Sequence, residues 1–184
     1  MFSMEMWGLL APAFIAGLLI ASTHVPLGQE VLRRGIIFID LAIAQIAGLG
    51  VVAAHVFFDA YENWFSMFFA LAFALGAGGV FSWLERRTPQ YQEALIGCAF
   101  VLSASLIILL LANDPHGGEH MRDLLAGQIL WVSWPQIALT GGVYALLLAI
   151  WFKKRSLFFL VFPITVTLSV QLIGVYLVFA SLII

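Results

Sequence analysis

The 184 residues carry eight basic and ten acidic side chains for a formal net charge of −2, while 63% of them are hydrophobic and the mean hydropathy is +1.06. Soluble domains hold roughly a quarter charged residues, so a water-facing surface cannot be made from this stock, and the near-neutral charge gives no basis for a nucleic-acid partner. The single Cys98 excludes a disulfide framework and any cysteine-cluster metal site.

The charged residues divide the chain into uncharged intervals at 6–29, 41–58, 63–84, 94–113, 124–152 and 156–184. Each meets or nearly meets the ~20 residues that cross a ~30 Å hydrocarbon layer. None shows the two-residue alternation of a barrel strand, and lipid offers the backbone no hydrogen bonds, so the intervals are expected to be helices. The expected fold is an all-α, polytopic transmembrane helix bundle, a single domain over 1–184, with about six spans near 6–27, 35–57, 63–84, 92–112, 128–152 and 157–184.

The first span has Glu5 and no basic residue ahead of its apolar run, and no small-residue cleavage site follows. It is therefore expected to stay in the mature chain rather than act as a signal peptide. His24 lies near its inner end. Seven of the eight basic residues then fall in alternate connections: Arg33 and Arg34, Arg86 and Arg87, and Lys153, Lys154 and Arg155. By the positive-inside rule these three connections are cytoplasmic and both termini face outward. Trp64, Trp83, Trp131, Trp134 and Trp151 mark span ends, where indole prefers the interface. Gly76, Gly78 and Gly79 in the third span and Gly141 and Gly142 in the fifth are expected to let backbones approach.

No nucleotide-binding loop, nucleophile elbow or zinc-protease helix occurs, so no enzymatic activity is expected of the chain itself. Its chemistry rests on polar groups at membrane depth, where an ionisable side chain is expensive and marks a pathway or a pairing. Asp40 leads, placed one and a half turns into the second span among isoleucines. It reads either as a way-station for a cation or as a carboxylate paired with Arg33, Arg34 or a helix N-terminus. Gln45, about 140° further around the helix, reads as a helix-to-helix hydrogen bond, as does Gln171 in the last span. His55, fifteen residues past Asp40 and ~22 Å away on nearly the same face, would extend a line to the outer mouth or simply be solvated. Glu93 at the start of the fourth span suits the dipole of that helix. In the outer loop, His116, Glu119 and His120 are ligand types that divalent zinc, manganese or iron accept, or else keep a polar loop in water.

Four blocks in order resemble a known family. Val31-Leu32-Arg33-Arg34 is followed six residues later by Asp40, with Gly50 ten residues beyond, and the stretches 92–97, 124–133 and 169–179 match later blocks. They resemble the membrane-spanning permeases of bacterial ABC importers for zinc, manganese or iron. The resemblance implies a multi-pass protein of the bacterial inner membrane that forms a homodimer, rests on a cytoplasmic ATPase subunit and receives its metal from an extracytoplasmic metal-binding protein. It also implies a metal site at Asp40, where family members commonly add a histidine four residues on. That position is Ala44 here, and Gln45 is expected to contribute from a neighbouring face. Only Lys153, Lys154 and Arg155 separate the last two spans, where relatives have a longer ATPase-contacting stretch, and the sequence stops at Ile184 within an apolar run. A shortened family member is expected. The alternatives are a self-contained secondary transporter or channel in which Asp40 and Glu93 handle protons or cations, and a non-transporting remnant whose helices only pack together.

Overall fold

The computed structural model describes residues 4–58, 63–112, 114, 127 and 129–183. Among them every regular element is helical, and six helices are long and apolar enough to cross a membrane. They are α1 (Met4–Arg34), α2 (Ile39–Phe58), α3 (Asn63–Arg87), α4 (Gln92–Leu111), α5 (Trp134–Lys153) and α6 (Phe158–Ile183).

Three boundaries move from their expected places, each for a local reason. α1 runs on to Arg34 instead of ending near residue 27, because the first residue that leaves helical geometry is Gly35, at φ +70°. Its N–H reaches back to Leu32 O (3.2 Å) and that of Ile36 to Val31 O (3.3 Å), which satisfies carbonyls of the last turn. Arg33 and Arg34 thus belong to the helix, where they face its negative dipole end. α2 consequently starts at Ile39 rather than at 35, and Asp40 lies in its first turn rather than one and a half turns in. α5 starts at Trp134 rather than at 128, since Ser133 caps it. The Gln136 side-chain oxygen accepts both the Ser133 N–H and the Ser133 hydroxyl, each at 2.9 Å.

α2 and α6 are the inner helices. Ala42, Ala44, Ala47 and Ala54 of α2 are buried, and α2 packs on α3, α4 and α6. Leu109 of α4 and Leu139 and Leu146 of α5 are exposed, the outward face that lipid requires. Small residues set the spacing, because between apolar helices in lipid the contact energy comes from close van der Waals approach. Of the glycines expected to do this, Gly78 does: a Cβ there would lie 2.3 Å from Phe159 O on α6, whereas Gly76, Gly79 and Gly142 have open space.

The last helix departs most from expectation. A single segment over 157–184 is replaced by two arms, 158–173 and 175–183, that meet at Gly174 with φ 78° and ψ 166°. Ser169 and Ser181 are twelve residues apart, ~18 Å in a straight helix. Yet both touch one ring: His24 Nε2 is 3.0 Å from Ser169 Oγ, and His24 Nδ1 is 2.5 Å from Ser181 Oγ. The second arm therefore doubles back along α1. It reaches Gly28, where a Cβ would stand 2.2 Å from Leu182 O. The last described residues lie level with the basic half of α1, so they do not return to the level of its N-terminus.

Gly78 and Gly79 offer a paired test of the α3–α6 contact. Gly78→Ala is expected to cost ~1–3 kcal/mol by overpacking against the Phe159 carbonyl. Gly79→Ala, which meets nothing, is expected to be neutral or to stabilise by up to ~1 kcal/mol. Thermal unfolding in detergent micelles measures both.

Candidate functional site

The basic groups lie at the ends of α1, α3 and α5, and Arg34 joins the ends of α1 and α3 to the start of α6. Glu30, one turn earlier on α1 and almost fully buried, accepts Arg33 Nη2 at 2.5 Å and Arg34 Nε at 2.7 Å. Arg34 Nη1 also pairs with Glu85 of α3. Its guanidinium lies 4.7 Å from the Phe158 ring centroid and 5.4 Å from that of Phe159, at the start of α6. Ion pairs and cation–π contacts thus bind three helices at one point.

Asp40 lies on the same end of the bundle but outside this cluster. It is 2% exposed, and neither carboxylate oxygen has a hydrogen-bond partner among the described residues. The arginines that could have paired with it are engaged by Glu30 and Glu85. The amides of Asp40 and Leu41 at the start of α2 supply compensating partial charge without closing a hydrogen bond. Glu93, in the first turn of α4, is near enough to act on Asp40 electrostatically. Its Oε1 accepts the Phe38 N–H at 3.0 Å and so secures the entry to α2, while its Oε2 is buried without a partner. Sequence spacing had left Glu93 as a dipole cap; the packing of α4 on α2 makes it a neighbour of Asp40. Two carboxylates with three uncommitted oxygens face each other's field, an arrangement that costs several kcal/mol if both are ionised and nothing is bound. A proton or a cation is what such a pair can hold.

The other expected residues are not assembled with it. Gln45 is buried in α2 five residues further along. His55 is at the far end of the helix, where its Nε2 lies 3.7 Å from Asp114 Oδ2. His116, Glu119 and His120 lie outside the described residues. No group of three or more histidine, cysteine, aspartate or glutamate side chains comes together among the described residues. Two readings are corrected. Gln171 is exposed rather than a buried interhelical amide, and Trp151 is 2% exposed rather than an interfacial anchor.

Sequence reasoning undervalued His24. It is fully buried, and its contacts with Ser169 and Ser181 continue to the Tyr144 hydroxyl, 2.5 Å from Ser169 Oγ. This network joins α1, α5 and both arms of α6. The signal was present as Thr165, Thr167 and Ser169, polar residues clustered in one apolar span.

A family model described as the ABC 3 transport family matches residues 6–162. The chain belongs to that family. An uncharacterized membrane protein of Synechocystis sp. is 25% identical over 140 residues, which cover 76% of this chain and 48% of that protein. The chain thus spans about half the length of the curated relative it matches. A solved structure, PsaBC from Streptococcus pneumoniae in complex with Fab, superposes with a TM-score of 0.70 over 95% of this chain and 70% of that one, at 19% identity. That likeness is one of fold. The Val31-Leu32-Arg33-Arg34 and Asp40 block lies inside the ABC 3 match, and the reversal at Gly174 lies beyond it.

In this ABC 3 chain, Glu30→Ala is expected to lower stability by ~2 kcal/mol, because Arg34 loses one of its two carboxylate partners within the helix junction. Arg33→Ala removes a pair whose arginine side chain is 62% exposed and is expected to cost less than ~1 kcal/mol. Thermal melts of the two variants in one detergent check the difference.

Proposed function

We propose that the chain is the transmembrane permease subunit of an ATP-driven importer of divalent metal ions, zinc, manganese or iron, and that Asp40 lies on the pathway. One observation carries this reading: a buried aspartate with both oxygens uncommitted, beside arginines that the fold has assigned elsewhere, in a chain of the ABC 3 transport family. An unpaired carboxylate at membrane depth is a site for a cation by default. Glu93 Oε2 supplies a further oxygen, and Gln45 a neutral donor along the same helix. ATP hydrolysis belongs to a separate cytoplasmic subunit at the basic end, which the positive-inside rule assigns to the cytoplasm of a bacterial inner membrane. An extracytoplasmic metal-binding protein serves the opposite end. The proposed assembly holds two copies, and an apolar groove of about 700 Å³ between α2 and α4, lined by Phe38, Leu41, Ala94, Cys98 and Val101, supports a covered face on the bundle.

The pairing of Asp40 with Glu93 supports a second reading, a self-contained cation transporter in which the two carboxylates pass protons. Transport that follows an ion gradient without ATP, from a chain that purifies without an ATPase subunit, would establish it.

In a strain lacking the gene, cellular zinc, manganese and iron measured by mass spectrometry should show one metal depleted. Wild-type chain should restore that metal. Asp40→Ala and Asp40→Asn should restore import at least about tenfold less well, the loss of one charged ligand. Full restoration by both variants would sink the reading.

A further inference from the structure

Trp151 stands apart from the other tryptophans at the ends of the spans. Trp64, Trp83, Trp131 and Trp134 are all more than half exposed, whereas Trp151 is 2% exposed and its indole N–H is buried with no hydrogen-bond partner. Leaving such a donor unmade costs ~1–3 kcal/mol. The residue also forms part of the wall of a cavity of about 280 Å³ between α1 and α5, together with Pro26, Gln29, Glu30, Arg33 and Arg155.

The charges around that cavity select the sign of what it can hold. The Arg155 guanidinium lies 5.2 Å from the Trp151 ring centroid. Arg33 gives only Nη2 to Glu30, which leaves the rest of its fork available. Glu30 is the one carboxylate on the wall, and both its oxygens are occupied, by Arg33 and by Arg34. Arg34 is not on the wall, so among the lining residues one net positive charge remains, and Lys153 and Lys154 add to the local field. Two planar guanidinium forks around one space match the tetrahedral oxygens of a phosphate, which arginine binds in bidentate fashion. A cation is repelled by the same set. The cavity sits at helix ends, where lipid headgroups lie, and Phe152 on its rim is 58% exposed.

We propose that this cavity binds a phosphate group, carried by an anionic phospholipid of the adjacent leaflet or by free phosphate from the aqueous side. The site is separate from the Asp40 pathway, and it stands or falls independently of the transport reading.

The test uses the full chain, purified in detergent, stripped of lipid and titrated with phosphatidylglycerol, phosphatidylcholine or inorganic phosphate, with adducts counted by native mass spectrometry. Wild type should retain phosphatidylglycerol in preference to phosphatidylcholine, or retain phosphate itself. Arg33→Gln with Arg155→Gln should lower retention about tenfold, corresponding to ~1.4 kcal/mol. Lys153→Gln with Lys154→Gln, which removes the same charge from outside the wall, should change it by less than about twofold. Trp151→Phe leaves a smaller and weaker aromatic face beneath Arg155; it should weaken retention by about threefold to tenfold, and it decides the matter should the arginine variant fail to fold. If millimolar phosphate displaces the bound lipid, the source is the aqueous anion; if the lipid stays, it is the headgroup. Equal loss in the lysine variant, unchanged retention in Trp151→Phe, or no adduct of either kind on wild type would overturn the site.

Discussion

Arg34 is the residue on which the basic end of this bundle depends. Lipid offers no hydrogen bonds, so a guanidinium at a helix junction must find all its partners in protein. Arg34 finds Glu30 on its own helix, Glu85 on α3, and the faces of Phe158 and Phe159 on α6. With Arg33 the cluster is electrically balanced, two positive charges against two negative, and it fixes where three helices end relative to one another. Its closure has a second effect. Because both arginines are turned to Glu30, Asp40 is left without a counter-ion although it follows them by only a few residues. Neutralisation at one point of the fold leaves a charge free to act at another.

The end of the bundle can therefore be read as three electrostatic zones. The Arg34 knot is neutral and structural. On one side, between α2 and α4, Asp40 and Glu93 gather negative charge with uncommitted oxygens. On the other, between α1 and α5, Arg155 lies over the Trp151 ring and adds positive charge beside Arg33.

Much of this was legible before any coordinates. Helix number, the grouping of basic residues at helix ends and the placement of Asp40 near the start of the second span follow from hydropathy and charge position. What stayed hidden depended on distance across helices. Glu93 read as a local dipole cap until α4 was seen packed on α2. Trp151 read as interfacial because tryptophan usually is, whereas it packs into the hydrophobic core of the bundle. The boundaries at Gly35 and Ser133 had local signals, a positive-φ glycine and a capping box, that hydropathy windows average away. His24 was undervalued because its partners lie 145 and 157 residues away in the chain. His116, Glu119 and His120 fall outside the described residues.

The fold-back at Gly174 separates two quantities that a hydropathy profile treats as one. A profile counts apolar blocks, whereas sidedness depends on the parity of crossings, and the two agree only when every block is traversed once in one direction. Here the arm 175–183 covers ~13 Å in reverse, less than half of the hydrocarbon thickness. The block count stays even while the polypeptide, at its last described turn, is still on its way back. Charge position has no bearing on this arm, because every basic residue precedes position 156. The glycine thus sets the arm 175–183 against the arm before it: hydropathy merges the two into one block, and the imidazole of His24 holds them side by side.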